Sequence, residues 1–393
     1  MEFVNPNVTI DFMRHRTPVV LISLALVALS LGSLFFPGPN YGIDFAGGTE
    51  VQLQFGGDIT SATIRETLET LGHRGADVVA VEDSEGGNEY MIRVREVSAI
   101  PEEQATAIEA ALVSALGEDV VNEVRISPGG DKVSLRLSRD VDHQSIIDTL
   151  EAEGAAVRGE VSTLAGGNDV RLEVQLRGVA DELVAGLQQE LGDLAPGAPL
   201  RAEWVGPKAG EQLRDAAIQS LLYAIAFIMV YVAFRFDLRF APGGVLAMFH
   251  DVVITLGIYV LVQKEVNLTT VAALLTVLGY SINDTIVVYD RIRENMGRYR
   301  DLSLRELINR STSQMLSRTI VTSGTTLLSV IAFFIWGTPV IRDISFALFC
   351  GILIGTYSSI YIAAPVTEYM DRKFFSEEAQ KKRASKRAAR AKA

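Results

Sequence analysis

The residues best suited to chemistry in this chain are ionisable groups set inside apolar runs. Residues 279–295, GYSINDTIVVYDRIREN, close the run NLTTVAALLTVLGYSINDTIVVY and place Ser281, Asn283 and Asp284 well before its end. A carboxylate in hydrocarbon is costly, so one kept there points to a task. For Asp284 that task is reversible protonation in a proton or ion path; the other reading is a structural carboxylate tied to a nearby cation. The preceding apolar run contains FHDVV, with His250 and Asp251. Two carboxylates at similar depth can relay protons or perturb one another; Asp251 can equally cap or bridge helices near the interface. A third stretch, SRTIVTSGTT (317–326), opens the next apolar run with Arg318 followed by Thr319, Thr322, Ser323, Thr325 and Thr326. Spacing of i, i+4 puts Arg318, Thr322 and Thr326 on one helix face, with Thr325 at its border. Arginine keeps its charge, so in a pair with Asp284 only the aspartate would titrate. The pair would break on protonation, which couples a proton to helix movement. A snorkelling arginine is the alternative.

These groups need helices to hold them. Six apolar segments stand out, at 18–37, 216–234, 243–262, 268–289, 319–337 and 344–367. Each is near the roughly 20 residues a helix needs to cross a bilayer core. The first follows Arg14 and Arg16, and FFPGPNYG after it offers no small-x-small cleavage site, so it is expected to stay as a helix. Arginines crowd two of the connections, at Arg235 and Arg239 and again from Arg291 to Arg310, whereas the alternate ones hold only Lys264 and Arg342. The bias predicts six spans with both termini in the cytoplasm: an N-terminus at 1–17, spans over 18–37 and 216–370, a basic tail at 371–393, and 38–215 outside. GILIG, with Gly351 and Gly355, predicts close helix packing in the last span.

The outer region carries an internal repeat. TIRETLETLG (63–72) is like SIIDTLEAEG (145–154), and LVSALGED (112–119) is like LQQELGDL (187–194). Alternating segments surround these helices: EVQLQF, EYMIRVR and NEVRI, then KVSLRL, DVRLEVQL and LRAEWV. The expected fold is a six-helix membrane protein with an extracytoplasmic α+β domain of two tandem ferredoxin-like lobes, at about 49–127 and 132–205. One larger mixed domain is the alternative. GGTE, SEGGNE and SPGGD read as turns.

Composition narrows the function. Hydrophobic residues make up 48% of the 393 and are clustered, which favours a membrane protein with one polar domain. The net charge of −12 belongs mainly to that domain, while the tail KKRASKRAARAKA is basic, so the balance gives no case for nucleic acid. The tail reads as a disordered positive-inside anchor, or as a contact for anionic lipid or ribosome. One cysteine, Cys350, excludes an internal disulfide, and four scattered histidines give no metal-ligand spacing. No nucleophile–base set or phosphate loop argues for an enzyme.

Taken in order, IDFMRHR (10–16), YGIDFAGGTEVQLQF (41–55), VGPKAGEQL (205–213), FRFDLRFAPGGVLAMFHDVVITLG, GYSINDTIVVYDRIREN and LSRTIVTSGTTLL resemble the SecF family, the smaller partner in the bacterial SecD/SecF protein-export system. The resemblance implies half of a transporter of the resistance-nodulation-division superfamily, in the bacterial inner membrane, completed by SecD as obligate partner. It implies use of the proton-motive force to pull a preprotein outward after the SecYEG channel, with YajC and YidC as further partners. Protons are then the coupling ion, with no other cofactor. Asp284 and Arg318 match positions tied to proton conduction, joined by an aspartate of SecD; Asp251 matches another characteristic position, and Gly42, Asp44, Gly47 and Gly48 lie in the family's glycine motif. Two outer lobes instead of the usual one, and a longer basic tail, depart from the pattern. A half-transporter for small molecules or lipids, and a non-transporting assembly scaffold, are the competing readings.

Overall fold

The computed structural model describes residues 8–81, 88–164 and 169–375. The tail beyond residue 375 and most of the expected SEGGNE turn lie outside the described residues. The chain forms two units, residues 1–41 with 215–393, and residues 42–214.

In chain order the helices long and apolar enough to cross a membrane are α1 (Arg16–Ser33), α7 (Pro207–Arg235), α8 (Ala241–Leu261), α9 (Leu268–Arg298), α10 (Leu304–Trp336) and α11 (Pro339–Ser358). A π-helical turn over Ser359–Ala363 carries α11 into α12 (Ala364–Met370). Pro365 lacks an N–H, so the helix cannot keep regular i→i−4 bonding at that point, and the wider turn absorbs the defect. Helix starts follow local chemistry. Asn267 accepts from the Thr270 N–H at 3.0 Å to cap α9. Ser303 caps α10 in a reciprocal box with Glu306, whose carboxylate accepts from the Ser303 N–H at 2.8 Å. The Asn267 cap sits where its apolar run begins, the Ser303 cap lies well before its own, and α9 runs on through Arg291 and Arg293 to Arg298.

Lipid gives helices no hydrophobic reason to associate, so small residues decide which backbones meet. Gly351 sits against Val277 of α9, where a Cβ would overlap the valine side chain. One turn on, a Cβ on Gly355 would lie 3.0 Å from the Ser281 Cβ. The GILIG pattern therefore marks the seam between α11 and α9. Aromatic groups fill the space where α8 and α9 meet: Phe240, Phe236 and Tyr289 cluster, the closest rings 4.9 Å apart. The segment before α1 is tied down as well. Asn309 of α10 accepts from the Met13 N–H at 3.0 Å and donates to Asp11 at 2.7 Å.

In the first unit β1 (Asn40–Tyr41) pairs in parallel with β10 (Glu265–Val266). The second unit holds α2 (Ile43–Ala46), β2 (Gly48–Gln54), α3 (Ser61–Thr70), β3 (Asp77–Ala80), β4 (Glu89–Val94), α4 (Glu102–Leu116), β5 (Val121–Ile126), β6 (Lys132–Leu137), α5 (His143–Ala152), β7 (Ser162–Leu164), β8 (Val170–Gln175), α6 (Val179–Leu191) and β9 (Arg201–Val205). Two antiparallel sheets run β3-β4-β2-β9 and β5-β6-β8-β7. Alternation sorts each strand's faces: Val51 and Leu53 of β2 are fully buried, while Glu50 on the other face pairs at 2.5 Å with Arg93, directly across in β4.

Two lobes are present, but they are nested. The first lobe is β2-α3-β3-β4 closed by α6-β9, and its core joins Val51, Ile64, Leu68 and Ile92 to Leu183 and Leu187. The second, α4-β5-β6-α5-β7-β8, is inserted between β4 and α6 with its own core of Ile108, Leu112, Val133, Ile146, Leu150 and Val174. Each is a ferredoxin-like sheet, the second with its final α-β pair moved to the front. The expected boundary near residue 130 therefore moves: NEVRI pairs with KVSLRL, and LRAEWV returns to EVQLQF. Alternation marks a strand without naming its neighbour, and here α4-β5 and α6-β9 have exchanged lobes relative to sequence order. The strands β3 and β7, DVVA and STL, complete the two sheets and are too short to show alternation in the sequence.

Candidate functional site

Two buried carboxylates stand in the helix bundle, and their surroundings differ. Asp251, on α8, is 0% exposed. Its Oδ2 accepts from the Ser281 hydroxyl of α9 and, at 2.8 Å, from the Ser358 hydroxyl at the end of α11. Its Oδ1 lies 2.8 Å from His250 Nδ1. The other imidazole nitrogen, Nε2, is 3.1 Å from the Tyr357 hydroxyl, which is 3.3 Å from Ser23 Oγ on α1. One continuous polar chain thus links α1, α11, α8 and α9. Gly355 permits it, because the absence of a side chain brings Ser281 and the end of α11 within reach of the same carboxylate.

Asp284 lies one helical turn beyond Ser281 on α9 and is 4% exposed. Its side-chain hydrogen bond is a long one: Ser323 of α10 donates to Oδ2 at 3.4 Å. Ser323 is also 3.0 Å from Thr356 Oγ1 of α11, and Tyr280 donates to Thr326 at 3.4 Å beside it. A further bond of 3.0 Å joins Thr285 of α9 to Ser359 in the π-turn. Asp284 therefore sits where α9, α10 and α11 exchange hydroxyl contacts.

Arg318 is exposed; its charge acts on Asp284 from a distance, but no ion pair within 4 Å joins the two among the described residues, so the expected direct pair is not closed in this arrangement. Asn283 points to the exposed side of α9, away from the buried carboxylate. Thr322 and Thr325 turn back on their own helix, donating to the carbonyls of Arg318 at 2.9 Å and Val321 at 2.8 Å. Ser281, expected to support Asp284, serves Asp251 instead. Ser358, Tyr357 and Thr356 had no signal in the sequence, since hydroxyl side chains are common in membrane helices. Among the described residues no cluster of His, Cys, Asp or Glu could hold a metal ion.

The glycine motif works differently from these polar groups. Gly42 precedes the short helix α2 (Ile43–Ala46), with Asp44 in its first turn. Gly47 and Gly48 have φ of +74° and +126° and lead directly into β2, so GGTE is a strand entry and not a turn. A Cβ on Gly47 would meet the Pro207 Cα at 2.9 Å, and one on Gly48 would overlap the Val94 carbonyl. The motif seats β2 between β4 and β9.

Comparison with known proteins agrees with these features. The family described as "Protein export membrane protein SecD/SecF, C-terminal" matches residues 193–373, and the "SecD/SecF GG Motif" matches residues 32–59. Protein translocase subunit SecF of Magnetococcus marinus is 36% identical over 92% of this chain and 92% of its own length. SecF of Koribacter versatilis is 34% identical over 92% and 91%. The crystal structure of SecDF, a translocon-associated membrane protein from Thermus thermophilus, superposes with a TM-score of 0.62 at 31% identity, covering 93% of this chain and 39% of that longer one. By these matches the chain belongs to the SecF family of SecD/SecF protein-export membrane proteins.

Proposed function

We propose that this chain is the SecF half of a proton-driven device that helps draw preproteins across the bacterial inner membrane beyond the SecYEG channel. The observation that carries the reading is Asp284: a carboxylate buried among apolar helices and held by one long hydroxyl bond. A charge so lightly compensated is costly in such surroundings, and a proton removes it. As a carboxylate, Asp284 can only accept. Once protonated it donates to the Ser323 oxygen, which leaves the Ser323 hydrogen for Thr356, 3.0 Å away. The α9–α10 bond thus reverses direction while Ser323 becomes a donor to α11, a local switch across three helices.

Arg318 on α10 and Asn283 on α9 are both exposed. We infer that SecD packs there and supplies the carboxylate that completes the site. A fused SecDF relative of Thermus thermophilus is 35% identical over 97% of this chain, and this chain spans 41% of it, which supports a two-half assembly. The arginine-rich connections put both termini in the cytoplasm and the α+β unit in the periplasm.

The test is export of a reporter preprotein with the proton gradient intact and after collapse by an uncoupler. Asp284→Asn and Arg318→Met should export at the collapsed-gradient rate under both conditions, at unchanged protein level. Gradient-dependent export in Asp284→Asn would sink the proposal and leave an assembly scaffold as the better reading.

A further inference from the structure

The second unit has a cleft of about 360 Å³ between its two lobes, at the lower end of the range for ligand sites. One wall is formed by the consecutive residues 198–204, which include most of β9; the rest of the lining includes Gly129, Asp131, Arg158, Gln175, Leu176 and residues 178–181. β9 ends its sheet: it pairs with β2 on one side, and no described strand pairs with its outer side. Such an edge presents a row of backbone donors and acceptors.

The charged side chains of the cleft are already matched. Arg158 meets Asp181 at 3.0 Å, and Arg201 meets Glu203 at 2.7 Å. Asp131 accepts from the Trp204 indole at 3.4 Å and from the Ser127 hydroxyl. An anion or cation finds no uncommitted counter-charge there. The open chemistry is the strand edge itself, flanked by the Trp204 ring. We infer that this cleft takes an extended polypeptide by strand addition to β9, with recognition through backbone hydrogen bonds and therefore tolerant of sequence. The inference rests on the proposed role in export, and the occupant is a passing stretch of unfolded chain. Residues 198–204 would engage a segment of similar length, roughly 20 Å when extended.

The probe is an uncharged Thr/Val-rich peptide with a terminal photo-cross-linker, added to the full chain in lipid nanodiscs. The parent peptide and a shuffled version should bind within about threefold of each other. A version methylated on alternate backbone nitrogens keeps one free edge and should still bind, whereas a version methylated on successive nitrogens has neither edge free and should bind at least about tenfold more weakly. Cross-links should fall on residues 198–204 and spare Thr163 in the exposed edge strand β7. Undiminished binding by the version methylated on successive nitrogens, cross-links on β7, or no binding up to the solubility limit would each overturn the inference. The Asp284→Asn chain should bind the peptide normally, because its cleft is unaltered. Loss of peptide binding with proton coupling intact removes the cleft alone; normal binding with proton-independent export removes the coupling alone.

Discussion

At the scale of single residues, the two buried aspartates separate by how firmly each is held. Asp251 takes two hydroxyl donors and a histidine from three helices, whereas Asp284 takes one long bond. A group that must change its proton in each cycle is poorly served by a fully satisfied network, and a structural knot is well served by one. Ser358→Ala should therefore destabilise the bundle, by about 1–3 kcal/mol, because it strips a donor from a buried carboxylate. It should leave the gradient dependence of export in place. Asp284→Asn should do the reverse, with little change in unfolding temperature and no response to the gradient. Unfolding in detergent, read beside the export assay, checks both. If Ser358→Ala abolished proton dependence without loss of stability, Asp251 would be the carrier. Both aspartates are visible in the sequence as charges in apolar runs. Their division of labour is not, because it depends on which hydroxyls arrive from other helices: Ser281 and Ser358 reach Asp251 from 30 and 107 residues away, and Ser323 reaches Asp284 from 39.

At the scale of elements, helix existence was legible and helix contact only partly so. The six apolar runs became the six long helices, and GILIG marked the α9–α11 seam. The start of α10 moved because Ser303 with Glu306 caps it well before the apolar limit at 319, a signal that hydropathy does not contain, whereas Asn267 caps α9 where the apolar run begins. The π-turn after Ser358 was likewise unseen, although Pro365 was there to suggest a break. Gly351 tests the seam. Gly351→Leu forces a branched side chain into Val277, and overpacking of this kind costs about 1–3 kcal/mol. Gly324→Ala on α10 meets nothing within 4 Å and should be neutral or slightly stabilising. Thermal unfolding of the two variants should therefore diverge, and equal behaviour would mean that α9 and α11 do not pack closely in the bilayer.

At the scale of the whole chain, the nested lobes make a prediction that tandem lobes would not. The first lobe's core draws on residues 51–94 and 179–187, with nothing from the inserted lobe. Replacing residues 97–176 by a short Gly/Ser linker removes one complete sheet with its two helices and core, and spares β2, α3, β3, β4, α6 and β9. Replacing residues 132–205, the second lobe as sequence order alone would draw it, removes α6 and β9 and opens the first core. Limited proteolysis of the two deletion proteins in membranes distinguishes the architectures. The 97–176 deletion should leave a protease-resistant core between the first two spans, and the 132–205 deletion should leave none. Resistance in the second alone would restore tandem lobes. The first deletion also removes one wall of the cleft, including Gly129, Asp131 and Arg158, while keeping the β9 edge. Peptide binding should then weaken but keep its sensitivity to backbone methylation, since the strand edge supplies the hydrogen bonds and the inserted lobe only encloses them.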